Sequence, residues 1–309
     1  MTRNTQRLAY GYKLQTGVRH CFMNHFVHLK GYMFIALAAV LWGLLGPISR
    51  LALAEGVTPL EIAFWRGVLA WVLFGGQAVW AGQTRLNLRD MPALFLFALT
   101  GVTLFYGSFQ LSVQSGGAAL AAVLLYTAPA WVAIMARVFY MEPLTYVKLA
   151  AVALTIVGVA CISLGNKGMD GNVSISAVLF GLTAGFCYSM YYVLGKPFSK
   201  GYTAPNLFLF LLPVGSLLLL PFVSFVHKTP TAWAALAAIA FVCTYCAYHS
   251  YYAGLKLLQA ARASIVATLE PVAAAVVAYF WWGETFSFLG WLGAASILIG
   301  VVLTIQERA

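Results

Sequence analysis

Two opposite charges, Arg66 and Glu270, stand inside otherwise apolar stretches of this 309-residue sequence. Counted along a helix, Arg66 lies roughly 10 Å past Pro59, and Glu270 lies roughly 15 Å past Ala260. If those two stretches enter a membrane from opposite faces, both charges sit near the middle of its roughly 30 Å core. A charge facing lipid there costs roughly 2.5–3.5 kcal/mol. The two must therefore pair, be neutralised, or face a cavity. In a cavity, Arg66 would bind a carboxylate and Glu270 would bind a proton or an amine. A structural ion pair locking two helices is the alternative.

Aromatic residues recur at helical spacing around these charges. Tyr106, Phe109 and Gln110 share one face, and Tyr248, Tyr251 and Tyr252 repeat that spacing 142 positions later. Tyr188, Tyr191 and Tyr192 form a third stripe, with Trp42 at the matching place 146 positions earlier. Tyr126 and Trp131 flank Pro129. A phenol deep in an apolar span needs a partner for its hydroxyl. A polar cavity lined by rings provides one, and suits a zwitterionic or flat solute through stacking and cation–π contacts. An interfacial aromatic belt is the other use of such residues. The candidate substrate-binding residues are thus Trp42, Arg66, Tyr106, Gln110, Tyr126, Tyr188, Tyr192, Tyr248 and Tyr252.

Glu270 and His249 are the candidates for coupling to an ion, a proton foremost; a satisfied core histidine is the plainer reading of His249. Pro129 and Pro271 each remove a helix donor and free a carbonyl one turn earlier, at Leu125 and Ala267. Such backbone is tolerated in a membrane only against protein or water, so the two prolines mark gating points or simple kinks. The sequence has no phosphate-binding loop, HExxH, metal cluster or nucleophile elbow, so no catalytic residue, cofactor or metal is expected. Cys243-x-x-Cys246 lies in an apolar run without a second pair and is read as packing. Gly181-x-x-x-Gly185 is read as close helix packing within the chain.

The elements that must carry these residues are membrane spans. Charged residues make up only 8% of the chain and hydrophobic ones 62%, where a soluble domain carries roughly 25% charged. Ten apolar segments of about 20 residues fit between Lys30 and the end, separated by Gly-, Pro- and Asn-bearing turns. The net charge of +10 is assigned to the membrane's cytoplasmic side rather than to nucleic acid. With both termini inside, fourteen Lys and Arg fall on inner ends and three (Arg50, Lys167 and Lys228) on outer ends, as the positive-inside rule requires. Residues 1–29 read as a basic cytoplasmic tail, or as an upstream extension if translation starts at Met23.

Pro129, Glu142 and Gly158 recur 142 positions later as Pro271, Glu284 and Gly300. Residues 30–165 and 172–307 then form two five-helix halves. An odd number of spans per half turns the second upside down, giving an all-α protein of ten helices in a 5+5 inverted repeat. The run from Ala261-Arg262-Ala263-Ser264 to Thr268-Leu269-Glu270-Pro271, with Gly283-Glu284, Gly290-x-x-Gly293, Trp42-Gly43 and Pro59-Leu60 with Arg66, resembles the EamA-type members of the drug/metabolite transporter superfamily. The resemblance extends from about Lys30 to the end. It implies a solute carrier of a bacterial inner membrane, working by alternating access around a central cavity. Amino-acid export, aromatic amino acids included, is the expected activity. Export of drug-like cations, uptake of nucleosides or sugars and, more remotely, an intramembrane enzyme are the alternatives. Expected partners are a small-molecule substrate, the bilayer and protons, with the chain a monomer or weak homodimer.

Overall fold

The computed structural model describes residues 28–166, 174–283 and 287–307. Ten helices there are long and apolar enough to cross a membrane. They are α1 (His28–Ala54), α2 (Pro59–Trp80), α3 (Leu88–Val113), α4 (Leu120–Tyr140), α5 (Tyr146–Leu164), α6 (Ile175–Gly201), α7 (Ala204–Phe222), α8 (Pro230–Leu257), α9 (Ala260–Trp281) and α10 (Phe288–Gln306). No strand occurs among the described residues. Glu284, Lys167, Met23 and the basic tail up to Val27 lie outside them.

Local chemistry sets where helices begin. Thr58, Ser174, Thr203, Thr229 and Ser287 each accept the backbone N–H three residues on, at the starts of α2, α6, α7, α8 and α10. Proline occupies the first turn of α2, α7 and α8, where its missing N–H costs no hydrogen bond. Helix α7 ends at Phe222. The following segment is held instead by Glu61, whose carboxylate accepts the Val226 N–H at 3.3 Å. Pro213 interrupts α7 from within, and the carbonyl four residues earlier, on Leu209, accepts the Trp71 indole N–H at 3.1 Å.

The two halves mirror one another in backbone detail. A Cβ on Gly158 would meet the Gly293 carbonyl and Ile297, while one on Gly300 would meet the Ala151 carbonyl and Thr155. Those partners are again 142 positions apart. Ser296 donates to the Leu154 carbonyl at 2.9 Å, so α5 and α10 meet at positions 142 residues apart. Left-handed backbone closes α4 at Met141 (φ 55°) and α9 at Gly283 (φ 66°). Widened π-helical turns occupy Leu99–Leu104 in α3 and Ile239–Cys246 in α8. Such turns mark places where a helix has been re-aimed.

The prolines, read as gating points or simple kinks, stand at the starts of half-helices. Helices α4 and α9 are discontinuous, breaking at Tyr126–Thr127 and Thr268–Leu269. New helices start at Ala128 and Glu270, which puts Pro129 and Pro271 in a first turn, where an N–H would have no helical acceptor. Gly185 makes room for the break in α4: a Cβ there would lie 2.6 Å from the Leu124 carbonyl and 3.1 Å from that of Leu125. Cys243 packs with Ile48, Ile62 and Leu236 in an apolar cluster.

Candidate functional site

A cavity of about 440 Å³ lies among α1, α2, α3, α4, α6, α8 and α9. Arg66 and Glu270 both line it, together with Trp42, Tyr106, Gln110, Tyr126, Tyr188 and Tyr248. Seven of the nine expected substrate-binding residues therefore share one space. Its rim includes the exposed Leu53 and Pro59, at the end of the bundle away from most of the basic side chains.

Arg66 projects from α2, its Nε donating to Thr244 Oγ1 of α8 at 2.9 Å. The guanidinium lies 5.4 Å from the centre of the Tyr106 ring. Glu270 opens the second half-helix of α9, so its carboxylate sits at a helix N-terminus, which favours negative charge. Tyr188 donates to Glu270 Oε2 at 3.4 Å, and Tyr192 donates to the Tyr188 hydroxyl at 3.3 Å. Gly43 lets α1 approach this half-helix: a Cβ there would stand 2.9 Å from the Glu270 carbonyl. The neighbouring Trp42 packs edge-on against Tyr248 at 5.6 Å. Its buried indole N–H has no acceptor among the described residues. A ligand in the cavity is thus offered a guanidinium, a carboxyl group and a shell of rings.

Tyr192 and Tyr252 lie outside this lining. An aromatic stripe with i, i+4 spacing runs along a helix, so its second member sits about 6 Å deeper. There Tyr192 packs against Tyr251 and Tyr252 against Phe208, forming a floor under the cavity. Pro129 borders Tyr126 and Tyr192 in a crevice behind the main space. His249 is also outside, because it neighbours Tyr248 and so points about 100° away around the helix. Its Nε2 lies 2.8 Å from Gln77 Oε1, which also accepts from the Tyr245 hydroxyl at 2.6 Å.

Below the floor, the basic end of the bundle is laced shut. Glu142 accepts the Ala260 and Ala261 N–H groups at 2.9 and 3.4 Å, capping α9. Lys148, almost fully buried, donates to the Pro143 carbonyl at 2.9 Å and to Gln259 Oε1 at 2.7 Å. Arg262 pairs with Glu307 at 3.3 Å and donates to the Tyr32 hydroxyl. Lys196 donates to the carbonyls of Leu255 and Leu258. Lys148 thereby ties α5 to the start of α9.

A second cluster at the opposite end escaped sequence reasoning. Glu61, fully buried, forms an ion pair with Lys228 and accepts from the Trp65 indole at 3.3 Å. Lys228 Nζ stands 5.3 to 5.7 Å from the ring centres of Trp65, Phe225 and Trp233. In sequence, Thr58-x-x-Glu61 reads as a capping box, and Thr58 does accept the Glu61 N–H. The carboxylate, however, turns to the lysine. Thr244 and Tyr191 were likewise not singled out for the site, although a π-helical turn and the cavity wall hold them there.

The EamA-like transporter family matches this chain over residues 29–164 and 175–306. An uncharacterized transporter of Archaeoglobus fulgidus is 28% identical over 90% of this chain and 97% of its own. The uncharacterized transporter YdfC of Bacillus subtilis is 26% identical, covering 85% of this chain and 87% of its own. A probable terminal-alkyne amino-acid exporter of Streptantibioticus cattleyicolor is 27% identical, covering 89% and 93%. A solved crystal structure superposes with a TM-score of 0.78 at 15% identity, covering 88% of this chain and 95% of that one, a likeness of fold.

Proposed function

The chain belongs to the EamA-like transporter family, and from that premise we propose a secondary carrier for small zwitterions, amino acids foremost. It is a multi-pass membrane transporter rather than an enzyme. The observation that carries the substrate reading is the pairing of Arg66 and Glu270 in one ring-lined cavity. In this reading Arg66 takes the substrate carboxylate by paired hydrogen bonds. Glu270 takes the ammonium, and the rings take an apolar or aromatic side chain. The similarity to a probable amino-acid exporter supports the same class.

The basic end is cytoplasmic in this proposal, on the positive-inside rule. The cavity then faces outward, as it would at the release step of export. The halves 30–165 and 172–307 rock about the site, breaking the basic-end contacts while the opposite end closes. Glu270 exchanges protons with substrate, which couples export to the proton gradient. Drug-like cations are the second reading, favoured by the rings and Glu270 and opposed by the charge of Arg66.

Flux in vesicles reconstituted with purified protein tests the coupling. Wild-type amino-acid flux should respond to an imposed pH gradient, and Glu270→Gln should exchange substrate without responding. A Glu270→Gln protein with the wild-type response would sink the coupling role.

A further inference from the structure

We propose that Thr244 is the positioning residue for Arg66, and that it thereby sets the preference for carboxylate-bearing substrates. The inference rests on the reading that Arg66 binds the substrate carboxylate. Thr244 is 1% exposed and does not line the cavity. Its hydroxyl has one proton, donated to the Ile239 carbonyl at 3.1 Å. That acceptor lies five residues back, within reach because α8 is π-helical from Ile239 to Cys246. With its proton committed, the hydroxyl presents a lone pair, and Arg66 Nε donates to it at 2.9 Å. The polarity of this chain of bonds is fixed, because guanidinium has donors only.

Arg66 is thus held along its Nε edge by Thr244 and over one face by Tyr106. Thr244 engages neither Nη group; the Tyr248 hydroxyl lies within hydrogen-bonding reach of the guanidinium, and the Nη fork matches the two oxygens of a carboxylate. The mirrored π-helical segment in α3 does no such work. Its Thr103 donates at 3.3 Å to the Gly215 carbonyl of α7, a neutral helix-to-helix contact. The positioning contact joins the two halves, Arg66 from the first and Thr244 from the second.

Calorimetric binding to the purified full-length protein tests this, with L-tryptophan and tryptamine as probes differing in the carboxylate. Wild type should bind tryptophan more tightly. Thr244→Val, nearly the same shape without the hydroxyl, should weaken tryptophan about tenfold and leave tryptamine unchanged, the size of a lost hydrogen bond to a charged group. Thr244→Ser should restore the wild-type ratio, and Arg66→Gln should abolish it. A Thr244→Val protein that keeps the ratio while Arg66→Gln loses it would overturn the positioning role alone. Equal weakening of both probes by Thr244→Val would also overturn it, leaving a packing role. If Arg66→Gln keeps the ratio, or wild type binds no tryptophan, the carboxylate reading falls and takes the inference with it.

Discussion

Replacing Glu142 by Gln should open the basic end of the carrier. The Glu142 carboxylate is nearly buried and accepts the first two N–H groups of α9. A hydrogen bond to a charged group contributes about 1.5–3 kcal/mol, and a neutral one about 0.5–1.5. An anion at a helix N-terminus contributes about 0.3–1 kcal/mol more. Glutamine keeps one oxygen for Ala260 and loses the charge, so the closed state should lose roughly 2 kcal/mol. That shifts the balance toward the open conformer about 30-fold. Ser264 reports the shift, because it is 2% exposed in the crevice with Tyr126 and Pro129. In a protein whose five native cysteines are replaced, Ser264→Cys should react with an impermeant maleimide from the basic side. Adding Glu142→Gln should raise that rate about 30-fold. An unchanged rate in a folded protein would refute the capping contact as the latch.

Three further outcomes follow from packing and charge. His249→Phe should leave substrate affinity and the pH response of flux at wild-type values, since His249 faces Gln77 and not the cavity; an altered pH response would return it to the coupling path. Gly293→Ala should lower thermal stability in detergent by about 1–3 kcal/mol, because its Cβ would lie 2.4 Å from the Gly158 carbonyl. Gly76→Ala, with nothing within 4 Å, is the control that should not fall. Lys228→Met leaves Glu61 buried and unpaired, and should destabilise by about 3–5 kcal/mol. Adding Glu61→Gln should recover most of that loss in the same unfolding measurement.

The ten spans and their pairing by halves were legible because both signals are long. Each span needs about 20 apolar residues, and the 142-residue offset carries Pro129, Glu142 and Gly158 together. Arg66 and Glu270 were legible because a charge in an apolar run needs a reason. Tyr192 and Tyr252 were drawn in by periodicity, which gives the face of a helix but not the depth along it. Thr244 was hidden because a threonine in a span is unremarkable until a π-helical turn aims it. The Glu61–Lys228 pair was hidden by distance in sequence, since the partners lie 167 positions apart.

Counterflow of radiolabelled amino acids into vesicles reconstituted with the purified protein tests the central claim most directly. Vesicles loaded with unlabelled amino acid should accumulate the labelled form, aromatic amino acids included. Arg66→Gln should weaken that exchange about 10- to 100-fold, the range for losing hydrogen bonds from a charged donor. Absence of counterflow with every amino acid, or full exchange by Arg66→Gln, would contradict a zwitterion carried between Arg66 and Glu270.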